Sequence, residues 1–134
     1  MKKPAFVLDS YSLLAYFQGE PSALKVKEIL RLAQDKDAAV FLSLINLGEI
    51  IYVIGRKQGW DNAVEIQKKV LMLPIQMGEV TMERVLSAAR IKATCPISYA
   101  DTFAVALAQE MHATVITGDP EFRRVESMVK VFWL

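Results

Sequence analysis

Short apolar runs that are rich in β-forming residues alternate along the chain with segments of helical periodicity. The predicted strands are residues 5–8, 38–42, 74–77, 114–117 and 129–133. The predicted helices are residues 12–17, 21–33, 43–57, 60–73, 81–94 and 98–112, with a short helical turn after residue 119. Strands that are separated by helices pair in parallel, and the helices cover both faces of the sheet. The alternation predicts an α/β protein, a three-layer α/β/α sandwich with a central, mostly parallel sheet of about five strands.

Composition narrows the class of protein. The 134 residues are 53% hydrophobic and 23% charged, which predicts one globular domain over residues 1–134. The net charge is +1, so any binding of nucleic acid has to be local. A single cysteine, Cys95, and a single histidine, His112, exclude an internal disulfide and zinc sites built from several such residues. We expect a cytoplasmic protein, because no run can span a membrane and no signal-peptide pattern opens the chain.

Two aspartates follow predicted strands. Asp9 comes directly after the first strand, and Asp119 follows residues 114–117 with Gly118 between them. The carboxyl ends of parallel strands are where open α/β sheets bind ligands. Asp119 also has an alternative interpretation as a helix N-cap, because Pro120 occupies a favoured first helical position.

Two further acids lie in unusually apolar predicted helices. Residues 44–54 contain only one charge, Glu49, and residues 96–108 contain only one, Asp101. We expect such helices to be buried nearly all round, so each carboxylate must be paired, protonated or bound to a metal. For Asp101 the alternative is a capping box with Ser98, and for Glu49 it is a buried salt bridge.

The four acids together predict a metal site. If the strands that precede Asp9 and Asp119 are neighbours, all four carboxylates meet in one crevice and repel one another. A divalent cation removes that conflict, and carboxylate oxygens without histidine or cysteine select Mg²⁺ or Mn²⁺. Such a cation polarises a phosphate and lowers the pKa of a bound water, which suits phosphoryl chemistry.

Four short motifs follow one another along the chain. They are Asp9-Ser10, Asn46-x-x-Glu49, Tyr99-Ala100-Asp101-x-x-Ala104 and Thr117-Gly118-Asp119-x-x-Phe122. In this order and spacing they resemble a PIN domain, over nearly the whole chain. The length and spacing resemble the VapC-type toxins of toxin–antitoxin pairs.

The resemblance implies an endoribonuclease that depends on Mg²⁺ or Mn²⁺, cleaves single-stranded RNA and leaves a 5′-phosphate. It also implies a homodimer, and a VapB-type antitoxin whose C-terminal segment blocks the site. The acids at the family's functional positions would be Asp9, Glu49, Asp101 and Asp119, with Thr117 as the polar helper. Asn46 and Ser10 are further candidates for supporting residues.

Substrate and dimer contacts have competing interpretations. Arg123 and Arg124 follow Asp119 closely enough to form a phosphate rim, or they are solvated surface charges. Tyr11 either stacks on a base or is partly buried. The predicted dimer uses the helix of residues 44–54, with its isoleucines at positions 51 and 54 on the outer side.

Two other functions stay open as alternatives. One is a non-catalytic PIN-like RNA-binding module, although such modules usually lose one or more acids and this chain keeps four. The other is a Mg²⁺-dependent phosphotransfer domain. A phosphatase of the haloacid dehalogenase type needs a second acid where Tyr11 stands, and a receiver needs an aspartate after the third strand, which Pro74–Met77 does not supply.

Overall fold

The computed structural model describes residues 2–134. The strands are β1 (Ala5–Leu8), β2 (Ala39–Ser43), β3 (Gln76–Gly78), β4 (Thr114–Thr117) and β5 (Val131–Trp133). The α-helices are α1 (Ser10–Phe17), α2 (Ala23–Gln34), α3 (Leu44–Gln58), α4 (Trp60–Met72), α5 (Met82–Thr94) and α6 (Tyr99–Met111), and a 3₁₀ helix covers Pro120–Val125. The order of elements agrees with the prediction. The third strand begins at Gln76 rather than at Pro74, which has no backbone N–H to give to a ladder.

The sheet order is β3-β2-β1-β4-β5, and every pairing is parallel. The predicted α/β class and parallel sheet are therefore confirmed. The chain builds outward from β1 to β2 and β3 on one side, and then crosses to β4 and β5 on the other. Leu8 of β1 lies opposite Ile116 of β4, so the two strands that lead to aspartates are neighbours at the point where the order reverses.

Hydrophobic clusters lie on both faces of the sheet, because successive strand residues point to opposite faces. Val7 belongs to the cluster that α6 covers, and Leu8 belongs to the cluster beneath α1–α4. These two clusters with the sheet between them form the three layers. No helix within residues 2–134 combines the length and the apolar composition that crossing a bilayer requires.

The two apolar helices differ in burial, contrary to the expectation for α3. In α6 the whole stretch Asp101–Ala108 is buried, because α6 packs on the sheet between α5 and α3. In α3 the buried residues are Asn46, Ile50 and Ile54, and a face of the helix is open to solvent. The placement of Ile54 on the outer side was wrong, since its side chain is 2% exposed.

Candidate active site

The four predicted acids line one cleft at the carboxyl edge of the sheet. Asp9 follows β1, Asp119 lies just beyond β4, Glu49 lies in the second turn of α3, and Asp101 lies in the first turn of α6. The cleft has a volume of about 320 Å³. Its lining residues are Asp9, Ser10, Tyr11, Leu14, Glu49, Val53, Ser98, Asp101, Asp119 and Glu121.

Asp9 is the most deeply held of these carboxylates, with a side chain 1% exposed. One of its oxygens accepts the Ser12 N–H at 2.9 Å and caps α1, and the other accepts the Thr117 hydroxyl at 2.5 Å. Burial raises the pKa of Asp9 to about 7; the hydrogen bonds from Thr117 and Ser12 oppose that rise, and the Asp101 charge adds to it. Asp9 is therefore held by hydrogen bonds to both oxygens but is desolvated, and it forms no ion pair among residues 2–134.

Asp101 shows a similar conflict. Its side chain is 7% exposed, and burial raises its pKa to about 6. A hydrogen bond with Ser98 opposes the rise, whereas the charges of Asp119, Glu49 and Glu121 add to it. The Asp101 N–H donates to the Ser98 hydroxyl at 3.2 Å, but the hydrogen bonds within residues 2–134 do not include the return bond of a capping box. The cap explains part of the residue's environment and leaves the carboxylate facing the other acids.

Glu121 is an acid that the sequence analysis did not select. Asp101, Asp119 and Glu121 each place a carboxylate oxygen within 4.8 Å of the others. Asp119 accepts the Glu121 N–H at 3.0 Å, so it does cap the 3₁₀ helix, as its alternative interpretation states. The sequence could have indicated Glu121 through its spacing from Asp119. The tight turn that begins at Pro120 brings Glu121, two positions after Asp119, back toward that aspartate.

A hydrogen-bond network lies behind Glu49. The Ser10 hydroxyl donates to the Glu49 carboxylate, and the Asn46 side-chain N–H donates to the Ala100 carbonyl at 3.2 Å. Asn46 Nδ2 also lies 3.5 Å from the Ser10 hydroxyl. Asn46 is fully buried, and its Oδ1 has no hydrogen-bond partner among residues 2–134. The network joins α1, α3 and α6 immediately behind the acids.

The four predicted cleft acids form no ion pair with a basic group among residues 2–134. The ion pairs formed by residues 2–134 involve neither Glu49 nor the three aspartates, so the buried salt bridge considered for Glu49 is not formed. The N-termini of α1, α6 and the 3₁₀ helix are directed at this edge, and their dipoles favour negative charge. A set of carboxylate oxygens without histidine or cysteine fits a hard divalent cation, Mg²⁺ or Mn²⁺.

The two predicted rim arginines make contacts outside the cleft. The Arg123 guanidinium lies 4.9 Å from the centre of the Trp133 ring. Arg124 donates to the Pro96 carbonyl at 2.6 Å and ties the 3₁₀ helix to the loop before α6. A phosphate rim at these residues stays a prediction that requires both side chains to reorient.

These features define an α/β protein with a carboxylate cluster at the switch point of a parallel sheet. The family model of the PIN domain matches residues 6–127, and the chain belongs to the PIN domain family. A search of curated proteins gives no significant match.

Solved structures share the fold over nearly the whole chain. The VapBC2 structure from Rickettsia felis, bound to a DNA fragment from its promoter, has a TM-score of 0.74 at 15% identity and covers 97% of this chain and 98% of that one. DNA-bound VapBC from Salmonella typhimurium has a TM-score of 0.73 at 15% identity and coverages of 96% and 97%. VapC20 from Mycobacterium tuberculosis, described as a toxin that cleaves the sarcin–ricin loop, has a TM-score of 0.72 at 20% identity and coverages of 94% and 98%. At these identities the likeness is one of fold.

Proposed function

We propose that the protein is an endoribonuclease that depends on Mg²⁺ or Mn²⁺ and cleaves single-stranded RNA. The observation that carries the proposal is a cleft of carboxylates that form no ion pair among residues 2–134. Membership of the PIN domain family supports it, as does the fold shared with a toxin described as cleaving the sarcin–ricin loop.

The residues that would hold the cation are Asp9, Glu49, Asp101 and Asp119, with Glu121 beside them. A divalent cation in such a site polarises the phosphate, lowers the pKa of a water and stabilises the leaving oxygen. Thr117 and Ser12 fix the Asp9 carboxylate, and Ser10 fixes that of Glu49. His112 follows the far end of α6, about 16 Å along the helix axis from Asp101, so no imidazole reaches the cleft.

The direct test is cleavage of RNA by the purified protein. Single-stranded and duplex RNA are incubated with Mg²⁺ or Mn²⁺, and again with EDTA, beside the Asp101→Asn variant. The exposed Glu65 on α4 supplies a matched control, Glu65→Gln. We expect cleavage of the single strand by wild type and Glu65→Gln only when metal is present, with products that carry a 5′-phosphate. Cleavage that persists in EDTA would contradict the mechanism, and no cleavage of any RNA in Mn²⁺ would favour the binding module.

We further propose that the nuclease is the toxin of a toxin–antitoxin pair. The fold shared with two structures described as VapBC bound to DNA supports this partner assignment. A protein encoded beside this chain is expected to bind it and stop cleavage at an equimolar ratio. Full activity in the presence of every adjacent gene product would contradict the assignment.

A homodimer is the remaining partner proposal. An apolar groove between α3 and α4, of about 390 Å³, is lined mainly by Leu44, Leu47, Ile51, Tyr52 and Trp60. Tyr52 is 50% exposed and Trp60 is 62% exposed, which is a patch that a second copy of the chain would cover. Light scattering is expected to give twice the 15.0 kDa mass of one chain, and Trp60→Glu is expected to give a monomer. A wild type that stays at 15.0 kDa at micromolar concentration would contradict the dimer.

A further inference from the structure

Tyr11 is an aromatic side chain in the wall of the acid cleft. It lies in the first turn of α1, two positions after Asp9, and lines the cleft with the carboxylates. The residue is 42% exposed, so much of the ring faces open space.

The glycine at position 118 leaves the space that the Tyr11 ring occupies. A Cβ built on Gly118 would lie 2.3 Å from Cε1 and 2.8 Å from Cζ of Tyr11, so the ring occupies the space that any side chain there would need. Gly118 is not among the glycines with positive φ in residues 2–134, which are Gly19 and Gly59. The missing side chain at position 118 therefore serves the position of the ring rather than the path of the backbone.

The Tyr11 ring is not covered by another aromatic side chain. Within residues 2–134 the paired aromatic rings are Tyr16 with Phe17 and Tyr99 with Phe103, so Tyr11 packs on no other ring. The ring therefore lies against Gly118, lines the acid cleft and is 42% exposed.

We propose that the ring of Tyr11 stacks on an unpaired nucleobase adjacent to the phosphate that is cleaved. The inference rests on the proposed nuclease function and specifies its substrate as RNA with an unstacked base at the cleavage site. Single-stranded nucleic acid is bound through aromatic rings on which bases stack, whereas a base inside a duplex is already stacked on both faces. Tyr11 is thus a substrate-binding residue that selects single strands.

The test compares Tyr11→Phe, which keeps an aromatic ring, with Tyr11→Leu, which keeps bulk without one. Tyr11→Gln is a second non-aromatic variant suited to an exposed position. Tyr99, 47% exposed but outside the cleft lining, supplies the matched control Tyr99→Leu.

Binding of a labelled single-stranded oligonucleotide is measured in EDTA, and KM and kcat for its cleavage are measured in Mn²⁺. We expect Tyr11→Leu and Tyr11→Gln to weaken binding about tenfold and to raise KM more than they lower kcat. Tyr11→Phe and Tyr99→Leu should behave as wild type.

Oligonucleotides with a single abasic position show whether the ring meets a base. For wild type, one abasic position is expected to weaken binding as much as Tyr11→Leu does, and the two changes together should cause no further loss. Equal losses from every abasic position in wild type and Tyr11→Leu would overturn the inference. If wild type cleaves RNA but the abasic position and Tyr11→Leu show no coupling, the stacking role of Tyr11 is wrong and the nuclease proposal stands. If wild type cleaves no RNA, the nuclease proposal fails, and the binding measurements still decide whether the ring meets a base.

Discussion

Asp9 and Asp119 occupy equivalent places in neighbouring strands but lie in opposite environments. Both follow the carboxyl end of a strand, both cap the helix that comes next, and both contact the Thr117 hydroxyl. Asp9 is 1% exposed and both of its oxygens accept hydrogen bonds from the protein. Asp119 is half-buried, and one of its carboxylate oxygens lies within 4.8 Å of carboxylate oxygens of Asp101 and Glu121.

The difference shows that one local pattern can place a carboxylate in two environments. The end of β1 lies in the middle of the sheet, where α1 and β4 cover it, so Asp9 is fixed but desolvated. The end of β4 leads into the 3₁₀ helix at the surface, so Asp119 faces the cleft. We interpret Asp9 as the rigid anchor of the site and Asp119 as part of its open side.

The largest expected effect is a difference between wild type and Asp9→Asn in how the free energy of unfolding in EDTA depends on pH. The folded protein holds the pKa of Asp9 at about 7, above its ordinary 3.8, so the native state binds the proton more tightly than the unfolded chain does. The stabilisation from the protonated carboxyl is fully present below about pH 4 and is lost as pH rises to about 7. At 1.36 kcal/mol for each pH unit, the interval from 3.8 to about 7 gives an upper limit of about 4 kcal/mol.

Urea unfolding from pH 4 to pH 8 measures this difference. The asparagine of Asp9→Asn keeps an oxygen that can accept the Ser12 N–H, but its side chain cannot ionise. The stability of this variant should therefore fall less than that of wild type as the pH rises. The matched substitution Asp119→Asn should leave the wild-type pH dependence at Asp9 in place. Parallel curves for wild type and Asp9→Asn would contradict the account of Asp9 as a desolvated acid.

Cleavage gives the next largest effect. If both aspartates hold the proposed cation directly, Asp9→Asn and Asp119→Asn should each lower the rate in Mn²⁺ by more than about 100-fold, because loss of a direct ligand exceeds the 10–100-fold cost of losing an outer partner. If Asp119→Asn cleaves normally while Asp9→Asn does not, Asp119 is only a cap and the two strand ends differ in kind.

Thr117→Val tests the hydroxyl that joins the two strand ends. The substitution preserves shape and removes the donor to Asp9 Oδ2 as well as the acceptor of the Asp119 N–H. We expect cleavage to fall about 10–100-fold and the free energy of unfolding in EDTA to fall by about 1–3 kcal/mol at neutral pH. Thr114→Val at the other end of β4 is the matched control and should change neither quantity appreciably.

The smallest expected effect concerns the cap at the end of β4. Asp119→Ala removes the acceptor of the Glu121 N–H, whereas Asp119→Asn retains one. In thermal melting in EDTA, the free energy of unfolding of Asp119→Ala should be about 1 kcal/mol lower than that of Asp119→Asn. Equal melting would show that the Asp119 cap adds nothing to stability.

The sequence predicted the order of elements and the convergence of the acids because both depend on local patterns. Strand and helix periodicities are local, and parallel strands necessarily share one carboxyl edge. The exposed face of α3 was not predictable in this way, since α3 and α6 have similar apolar sequences. Their burial differs because α6 lies between α3 and α5, whereas α3 leaves one face to solvent.

Long-range side-chain contacts were also beyond the sequence. Arg124 reaches the Pro96 carbonyl 28 positions away, and Arg123 lies over Trp133. Glu121 joins Asp101 and Asp119 only because the chain turns as a 3₁₀ helix after Pro120. These contacts depend on how the loops fold over one another rather than on spacing along the chain.

The central claim is that the carboxylates form one cation site, and thermal melting of wild type and Asp101→Asn tests it most directly. In EDTA the substitution removes like-charge repulsion, so Asp101→Asn should melt at the same temperature as wild type or higher. Excess Mg²⁺ or Mn²⁺ should stabilise wild type by about 2.7 kcal/mol at 100 times the dissociation constant, and Asp101→Asn should lose most of that gain. An Asp101→Asn protein that melts lower in EDTA and keeps the full metal-induced shift would make Asp101 a structural cap and contradict the claim.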